Sequence, residues 1–246
     1  GKTVMSGSRM TIIAGVFSIC AILCYIVCFK LTRERVEVPA SSQKVSASAI
    51  FKSIFTNRAL LGIIVAAIFV LLSQLTVMSL AGYVYPNVYG SAAAQSTASL
   101  LGTVIMLIVC APFASKLAAK FGKKELAVAS SICSALVWLV CLIWRPASVW
   151  GFVACYILAN IGMGFFNTII WAMITDVIDD AEVRSGIRED GTIYSVYSFA
   201  RKLGQAFSSG LVGALLGIIG YTEATAFDPA VTRGIFNMAC IAPIIG

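Results

Sequence analysis

The sequence predicts an all-α membrane protein, and three observations support this fold class. Of the 246 residues, 59% are hydrophobic and only 12% are charged, which is about half the charged fraction of a soluble domain. The apolar residues form long blocks, most of them near the ~20 residues that a helix needs to cross the hydrocarbon of a bilayer. The charged residues lie mainly between these blocks. A soluble domain with a buried core would need shorter blocks and helices with polar faces.

Seven apolar segments follow one another along the chain. They are Met10–Phe29, Ala59–Gly82, Ala92–Ala118, Leu126–Trp144, Val149–Ile178, Thr192–Gly220 and Gly234–Gly246. At 1.5 Å per residue the last one reaches only about 20 Å, which is too short to cross a bilayer. Because the chain opens without a methionine and closes inside an apolar segment, we expect it to be a piece of a longer polytopic protein.

The basic residues give the direction of each segment. On one side they follow the first, third and fifth segments: Lys30, Arg33, Arg35, Lys44, Lys52, Arg58, Lys116, Lys120, Lys123, Lys124, Arg184 and Arg188. The opposite side has Lys2, Arg9, Arg145 and Arg233. Positive charge marks the cytoplasmic side of a membrane protein, so the odd-numbered segments run inward and the even-numbered ones outward. This topology explains the net charge of +7 better than nucleic-acid binding, for which the chain has no continuous basic patch.

The sixth segment carries two adjacent cations within the hydrocarbon. Lys202 lies about 15 Å along a helix that starts at Thr192, and its helix face also holds Ser195, Ser198, Gln205 and Ser209. A lysine at this depth costs several kcal/mol unless it faces water, a partner or a ligand. The stripe therefore predicts an aqueous cavity. Two alternatives stay open: both cations extend toward the cytoplasm, or Arg201 shares the cavity edge with Tyr194 and Tyr197.

The fifth segment carries a second polar stripe. Its members step by three or four residues: Asn160, Gly164, Asn167, Thr168, Trp171, Thr175 and Asp179. Asn167 offers hydrogen bonds and Trp171 a flat apolar ring, a combination that suits a sugar. Gln74 in the second segment is a weaker candidate of the same kind. The alternative is that these side chains are interhelical polar contacts.

Four carboxylates close the fifth segment: Asp176, Asp179, Asp180 and Glu182. They lie at the helix C-terminus, the unfavourable end of the helix dipole for an anion. Arg184 and Arg188 are the nearest partners in sequence, and such a charge network at the inner face would latch a cytoplasmic gate. Acid–base catalysis would need a nucleophile or a metal cluster beside the carboxylates, so we predict no enzyme, no cofactor and no metal site.

Glycines are frequent near the end of the sixth segment. Gly213 and Gly217 form a GxxxG pair, with Gly210 and Gly220 beside them. We expect close helix packing at this position.

The stretch MITDVIDDAEVRSGIREDGTIYSVYSFARKLGQAF resembles the glycoside–pentoside–hexuronide:cation symporters of the major facilitator superfamily. The residues that follow the family pattern are Asp176, Asp179, Gly186, Arg188, Gly191, Ser195 and Lys202 to Gln205. The shorter stretches LTRERV and NRALL are similar to the same family, and KLAAKFGKKE resembles the superfamily's basic loop between its eighth and ninth helices. Asp180 departs from the pattern, because an aromatic residue is common there.

The resemblance implies a fold and a division of the chain. The expected architecture is a major facilitator-like helical bundle covering about helices 6–12, with residues 1–31 as helix six, 32–57 as a cytoplasmic linker and 58–246 as helices seven to twelve, the last one truncated. It also implies cation-coupled symport of a sugar or glycoside by alternating access in the cell membrane. The coupling ion, Na⁺ or H⁺, would bind mainly in a preceding half, which would then be a partner beside the lipid bilayer.

Residue roles follow from the same resemblance. Lys202 matches a membrane lysine near the cation and sugar sites of the melibiose permease, while Asp176, Asp179 and Arg188 match charges at the cytoplasmic barrier. Two other functions stay open. A lipid or drug carrier on the same scaffold would show a more apolar cavity, and a receptor or scaffold protein would not need a charged stripe facing that cavity.

Overall fold

The computed structural model describes residues 7–32, 57–185, 188 and 190–246. In these residues it contains seven α-helices: α1 (Gly7–Leu31), α2 (Arg58–Tyr83), α3 (Ala92–Phe121), α4 (Lys123–Trp144), α5 (Val149–Ser185), α6 (Asp190–Ile218) and α7 (Pro229–Ile245). A π-helical turn, Val84–Val88, continues α2. The chain divides into two compact units, Gly1–Ser46 and Ala47–Gly246. The predicted linker, residues 32–57, lies almost entirely outside the described residues.

The first unit contains α1, which is apolar around its whole circumference. Its span Thr11–Leu31 has a mean hydropathy of 2.7, and its side chains from Thr11 onward are exposed. Helices of this composition are buried in a membrane or in a protein core. The described helix agrees with the predicted segment Met10–Phe29.

Within the described part of the chain, five helices are long and apolar enough to cross a membrane: α1, α2, α3, α4 and α5. Helix α6 has 29 residues but is not among them, because Arg201, Lys202 and Gln205 lower its hydropathy. Helix α7 is apolar but shorter, with 17 residues. The all-helical membrane class expected from composition therefore agrees with the described residues, in which no strand occurs.

Two helix ends differ most from the predicted segments, and the other ends lie within about three residues of them. Helix α7 begins at Pro229 rather than Gly234, because a proline at the first helical position is favourable and needs no apolar residues around it. Helix α5 continues past Ile178 to Ser185. The acidic cluster therefore lies on a helix, and this fixes which carboxylates can reach the same partner.

The second unit consists of two three-helix repeats, α2–α4 and α5–α7. Helix α2 packs mainly against α6 and α7, helix α5 packs mainly against α3 and α4, and α4 contacts α7. If each helix of one repeat is exchanged for the equivalent helix of the other, the same pairs of helices are in contact. Because each helix and its equivalent are three positions apart in the order of helices, and direction alternates from one helix to the next, the repeats run in opposite directions through the membrane.

Three glycines allow the close crossings in this packing. A Cβ at Gly204 of α6 would lie 3.0 Å from the Ile68 carbonyl oxygen of α2, and one at Gly162 of α5 would lie 2.7 Å from the Ser130 carbonyl oxygen of α4. A Cβ at Gly164 would lie 2.7 Å from Cys110 Sγ of α3. Small residues give tight contacts in membranes, where burial from lipid supplies little driving force.

The predicted GxxxG packing face is wrong for the described chain. A Cβ at Gly210, Gly213 or Gly217 would have no atom within 4 Å. Gly220 does have a structural role, because its φ of 72° is costly for other residues. Its position ends α6, so the turn rather than helix packing explains it.

Two groups of buried side chains hold the bundle at its two ends, here called outer and inner after the orientation that the basic residues predict. At the outer end, Tyr85 and Phe152 form an edge-to-face pair with ring centres 5.4 Å apart, and Phe236 of α7 lies 5.8 Å from Phe152. At the inner end, a buried cluster joins α2, α5 and α6; its members include Leu60, Ile63, Val70, Ile174, Ile178, Ile193 and Tyr197. The inner cluster positions the cations of α6 relative to the carboxylates of α5.

Candidate functional site

Helix α6 presents three faces. The face that is buried, mostly against α2, holds Ile193, Tyr197, Ala200, Gly204, Ser208 and Val212, and Ser208 Oγ lies 3.2 Å from Thr76 Oγ1 of α2. A second face exposes Phe199 and Phe207. The third face carries the predicted stripe, in which Gln205 is half-buried and Ser195, Ser198, Lys202 and Ser209 are exposed. The polar stripe is thus separate from both the packing face and the aromatic face.

Lys202 lies near the middle of this stripe. Its Nζ donates to Gln205 Oε1 at 3.2 Å, and no carboxylate of the described residues pairs with it. Counted from Asp190, its Cα lies about 18 Å along the helix, so its charge is far from the inner end. The charge is available to a group outside the described residues.

Arg201 lies against two aromatic rings. Its guanidinium carbon is 5.3 Å from the ring centre of Trp171 and 5.7 Å from that of Tyr197, and Nη1 donates to Tyr197 Oη at 3.3 Å. The two rings meet edge to face, with centres 5.6 Å apart. The rings expected beside it were Tyr194 and Tyr197, and Tyr197 is in contact. The second ring in contact is not Tyr194 but Trp171 of α5, and sequence spacing alone gives no signal for this contact.

Gln74 and Asn167 join α2 to α5. Asn167 Nδ2 donates to Gln74 Oε1 at 3.4 Å, which is the interhelical contact left open as an alternative. Asn160 donates to the Tyr156 carbonyl oxygen of its own helix at 2.7 Å. These three amides are half-buried, and their contacts leave part of their hydrogen-bonding capacity free.

A cavity of about 400 Å³ lies inside the second unit, between α2, α3, α4, α5 and α7. Gln74 and Asn160 line it together with hydroxyl side chains, among them Ser73, Thr103, Ser131 and Ser134. The other predicted cavity residues are elsewhere: Lys202, Gln205, Ser198, Asn167 and Trp171 do not line it. The six residues therefore do not share one cavity within the described chain.

Arg188 connects the inner ends of α5 and α6 through three carboxylates. Its Nη1 lies 3.1 Å from Asp179 Oδ1 and 2.7 Å from Glu182 Oε2, and its Nε lies 3.0 Å from Asp190 Oδ2. Hydrogen bonds to Asp190, and then to Glu182 and Asp179, raise the pKa of the guanidinium above its usual value. The predicted partners Asp179 and Arg188 are therefore in contact, and the cation stays charged.

The other gate candidates lie outside this network. Arg184 Nε contacts Asp180 Oδ2 at 2.9 Å, one helical turn away on α5. Asp176 pairs with Lys123 at the start of α4, where Nζ lies 2.6 Å from Oδ1 and 2.8 Å from Oδ2. Sequence reasoning used Lys123 for topology only. The signal for this ion pair was the place of Lys123 in the basic stretch KLAAKFGKKE, because the predicted topology puts that stretch and Asp176 on the same side of the membrane.

The sequence pattern described as MFS/sugar transport protein matches residues 3–246. This chain belongs to that family. The resemblance stated from the motif is confirmed, and so are the all-α fold of the major facilitator type and the location in a membrane that several helices cross. Among the described residues, no three cysteine, aspartate or glutamate side chains are grouped as metal ligands.

Relatives of this MFS/sugar transport family member are similar along nearly its whole length. An uncharacterized symporter of Bacillus subtilis, YjmB, is 29% identical over 95% of this chain and 51% of its own length. A glucuronide carrier protein homolog of Escherichia coli is 27% identical over 93% of the chain and 50% of its length. A putative sulfoquinovose importer of Salmonella typhimurium is 28% identical, with coverages of 94% and 49%. The chain thus spans about half the length of the curated relatives that it matches.

Proposed function

We propose that this chain is the C-terminal half of a secondary transporter that carries a sugar or glycoside together with Na⁺ or H⁺. The family and the names of the relatives, a symporter, a glucuronide carrier and a sulfoquinovose importer, support a sugar-sized solute. The family is one of transport proteins, and our proposal includes no catalytic reaction.

The proposed coupling of solute to ion rests on the position of Lys202. Its Cα lies about 18 Å along α6 from Asp190, and its ammonium has an amide rather than a carboxylate as its partner in the described residues. A cation at this depth needs a counter-charge or water. In our proposal, carboxylates of the preceding half supply that counter-charge when no coupling ion is bound.

Coupling follows from competition for those carboxylates. A bound Na⁺ or H⁺ neutralises them and displaces the Lys202 ammonium, so that the charge of the site in which the solute binds depends on the ion. Solute binding is then favourable only when the ion is present, which is the thermodynamic requirement for symport. The solute binds between the two halves, and the polar stripe of α6 with Gln205 and Ser198 forms this chain's part of the lining.

Alternating access needs a connection that opens at the inner side. Arg188 supplies one, because it bonds the end of α5 to the first residue of α6. The Lys123–Asp176 pair adds a second connection, between α4 and α5. In our proposal these ion pairs, all within this half, hold the inner ends of α4, α5 and α6 together in the outward-facing state and rearrange when the halves rock.

Transport by the full-length protein in proteoliposomes tests the proposal. The probes are radiolabelled glucose, methyl β-galactoside and glucuronate, each with an imposed inward Na⁺ gradient, an imposed inward H⁺ gradient or neither. We expect accumulation of at least one probe that collapses when an ionophore removes the gradient. Uptake of none of the three, with a lipid or an apolar drug transported instead, would overturn the proposed function.

A further inference from the structure

Two lysines near the inner end of α3 have no carboxylate partner in the described residues. Lys116 and Lys120 are exposed, and none of the ion pairs found there includes either of them. Other cations at the inner end do have carboxylate partners, as Lys123, Arg184 and Arg188 show. The positive charge of Lys116 and Lys120 is therefore not neutralised within the described part of the chain.

The spacing of the two lysines increases their need for an anion. They are four residues apart on one face of α3, and like charges at this spacing destabilise a helix. Glu125, the nearest carboxylate in the sequence, lies beside Gly122, which is the single residue between α3 and α4. Lys124, exposed at the start of α4, adds a further positive charge after this turn. An anion bound at the two lysines would relieve the repulsion between them.

The depth of the lysines matches the head-group layer of a membrane. Helix α3 has 30 residues and is about 45 Å long, while the hydrocarbon of a bilayer is ~30 Å thick. A helix of this length extends beyond the hydrocarbon when it spans the membrane. Lys116 and Lys120 lie within about 8 Å of the inner end of α3, which is the part that reaches the lipid head groups.

Exposed aromatic side chains accompany the two lysines. Phe113 is 52% exposed and Phe121 is 56% exposed, and Lys120 Nζ lies 5.2 Å from the ring centre of Phe121. Phe113 precedes Lys116 by three residues and Lys120 by seven, so it lies on the same helix face, farther into the hydrocarbon. This face presents apolar surface at the depth of acyl chains and positive charge at the depth of head groups.

We propose that Lys116 and Lys120 bind the head group of a phospholipid with a net negative charge, and that its acyl chains pack against Phe113. A lysine ammonium is a compact point charge that suits a phosphate group, and basic side chains at the inner surface attract anionic lipids of that leaflet. The site is on α3, whereas the polar stripe assigned to the solute is on α6. The competing arrangement is that carboxylates outside the described residues neutralise both lysines.

Lipid binding to the purified full-length protein in detergent tests the proposal. The probes are phosphatidylglycerol and phosphatidylcholine with identical acyl chains, and glycerol phosphate, which has the anionic group without the chains. Native mass spectrometry of the adducts gives the dissociation constants. We expect phosphatidylglycerol to bind on the order of ten- to thirtyfold more tightly than phosphatidylcholine, because each lysine at an anionic head group contributes a factor of about five. The preference should shrink as the salt concentration rises.

Lysine variants attribute the preference to the site. Lys116→Gln and Lys120→Gln should each lower it about fivefold, and the double variant should remove most of it, while Lys120→Arg keeps the charge and should keep the preference. The matched control is Arg58→Gln, which removes one positive charge from an exposed residue at the inner end of α2 and should leave the preference unchanged. All these side chains are exposed, so we expect every variant to fold, and the melting temperature of the lipid-free protein checks this.

Each contrary result overturns the proposed lipid site. Equal binding of the two lipids, or an unchanged preference in the double variant, would show that the lysines do not select the lipid. A loss in Arg58→Gln as large as that in Lys120→Gln would indicate a general attraction to surface charge. Displacement of phosphatidylglycerol by an equal concentration of glycerol phosphate would indicate a site for soluble phosphate.

The competing arrangement gives a different pair of results. If carboxylates outside the described residues neutralise the lysines, the double variant lowers the melting temperature of the lipid-free protein, and the wild-type protein shows no preference between the lipids. That pair of results also overturns the lipid site. All these measurements are of lipid binding and stability, so the proposed sugar transport is tested separately.

Discussion

Lys123 Nζ lies 2.6 Å from Asp176 Oδ1, so an ion pair joins the first residue of α4 to the inner part of α5. Both side chains are about half exposed, at 40% and 53%. An exposed pair contributes about 0–1 kcal/mol to stability. We therefore assign this contact to conformational control at the inner side rather than to the stability of the fold.

A charge exchange tests the Lys123–Asp176 pair. Lys123→Asp and Asp176→Lys should each lower the transport rate, since each places like charges together, while the double variant should recover a substantial part of it. The melting temperature should change little in all three proteins. Additive losses in the double variant, measured as a double-mutant cycle on transport rate, would show that the two residues act independently.

The Arg188 network predicts unequal effects for its members. Asp179→Asn removes one of three carboxylate partners, so Arg188 keeps Glu182 and Asp190, and the shift toward the inward-facing state should be small. Arg188→Gln removes the connection between α5 and α6 and should shift the population further. Spin-label distances across the cytoplasmic side measure both shifts, with Arg184→Gln as the control because its contact lies within α5.

If Asp179→Asn and Arg188→Gln both leave the distance distribution unchanged, these residues are ordinary surface charges and the gate proposal is wrong. An Arg184→Gln shift as large as that of Arg188→Gln would point to a general effect of surface charge.

Lys202→Gln separates ion coupling from direct solute binding. In the coupling role, ion-driven accumulation should be lost while downhill exchange survives, because the neutral side chain no longer competes with the ion. In the binding role, solute affinity should fall whether or not the ion is present. Lys124→Gln, the same change on an exposed residue at the inner surface, is the control. Wild-type rate and accumulation in Lys202→Gln would mean that the ammonium has no part in the site.

Gly204 and Gly213 of α6 form a matched pair for helix packing. A Cβ at Gly204 would lie 3.0 Å from the Ile68 carbonyl oxygen, while one at Gly213 would meet no atom within 4 Å. Gly204→Ala should therefore destabilise the protein by about 1–3 kcal/mol, the usual cost of overpacking. Gly213→Ala should be neutral or slightly stabilising, since alanine favours the helix. Thermal unfolding in detergent distinguishes the two, and equal melting temperatures would contradict the described α2–α6 contact.

Membrane topology gives the fifth prediction. Cysteine labelling from outside, on a full-length background without native cysteines, should reach Thr225→Cys between α6 and α7 and should not reach Lys44→Cys. Lys44 lies outside the described residues, so this test rests on the distribution of basic residues. The reverse labelling pattern would overturn the orientation and the assignment of the gate to the cytoplasmic side.

Features that depend on the local order of residues could be predicted from the sequence alone. Apolar blocks of membrane length predicted the existence of α1 to α6, while the directions predicted from the alternating basic connections stay a prediction. The period of the α-helix placed Ser198, Lys202 and Gln205 on one face of α6, where the structure has them. These inferences hold because each depends on composition or on residues within two helical turns.

Which helix faces meet depends on packing between helices that are distant in the sequence. Trp171 lies beside Arg201 because α5 and α6 both join the inner buried cluster, and Lys123 reaches Asp176 because α4 packs against α5. The contact at Gly204 rather than Gly213 depends in the same way on where α6 crosses α2. Trp171 and Arg201, like Lys123 and Asp176, are far apart along the chain. Gly204 and Gly213 are the same residue type on one helix. A local sequence pattern therefore does not indicate which of these residues make the contacts. In a membrane, where apolar faces gain little by leaving lipid, close packing and polar contacts between helices select the arrangement.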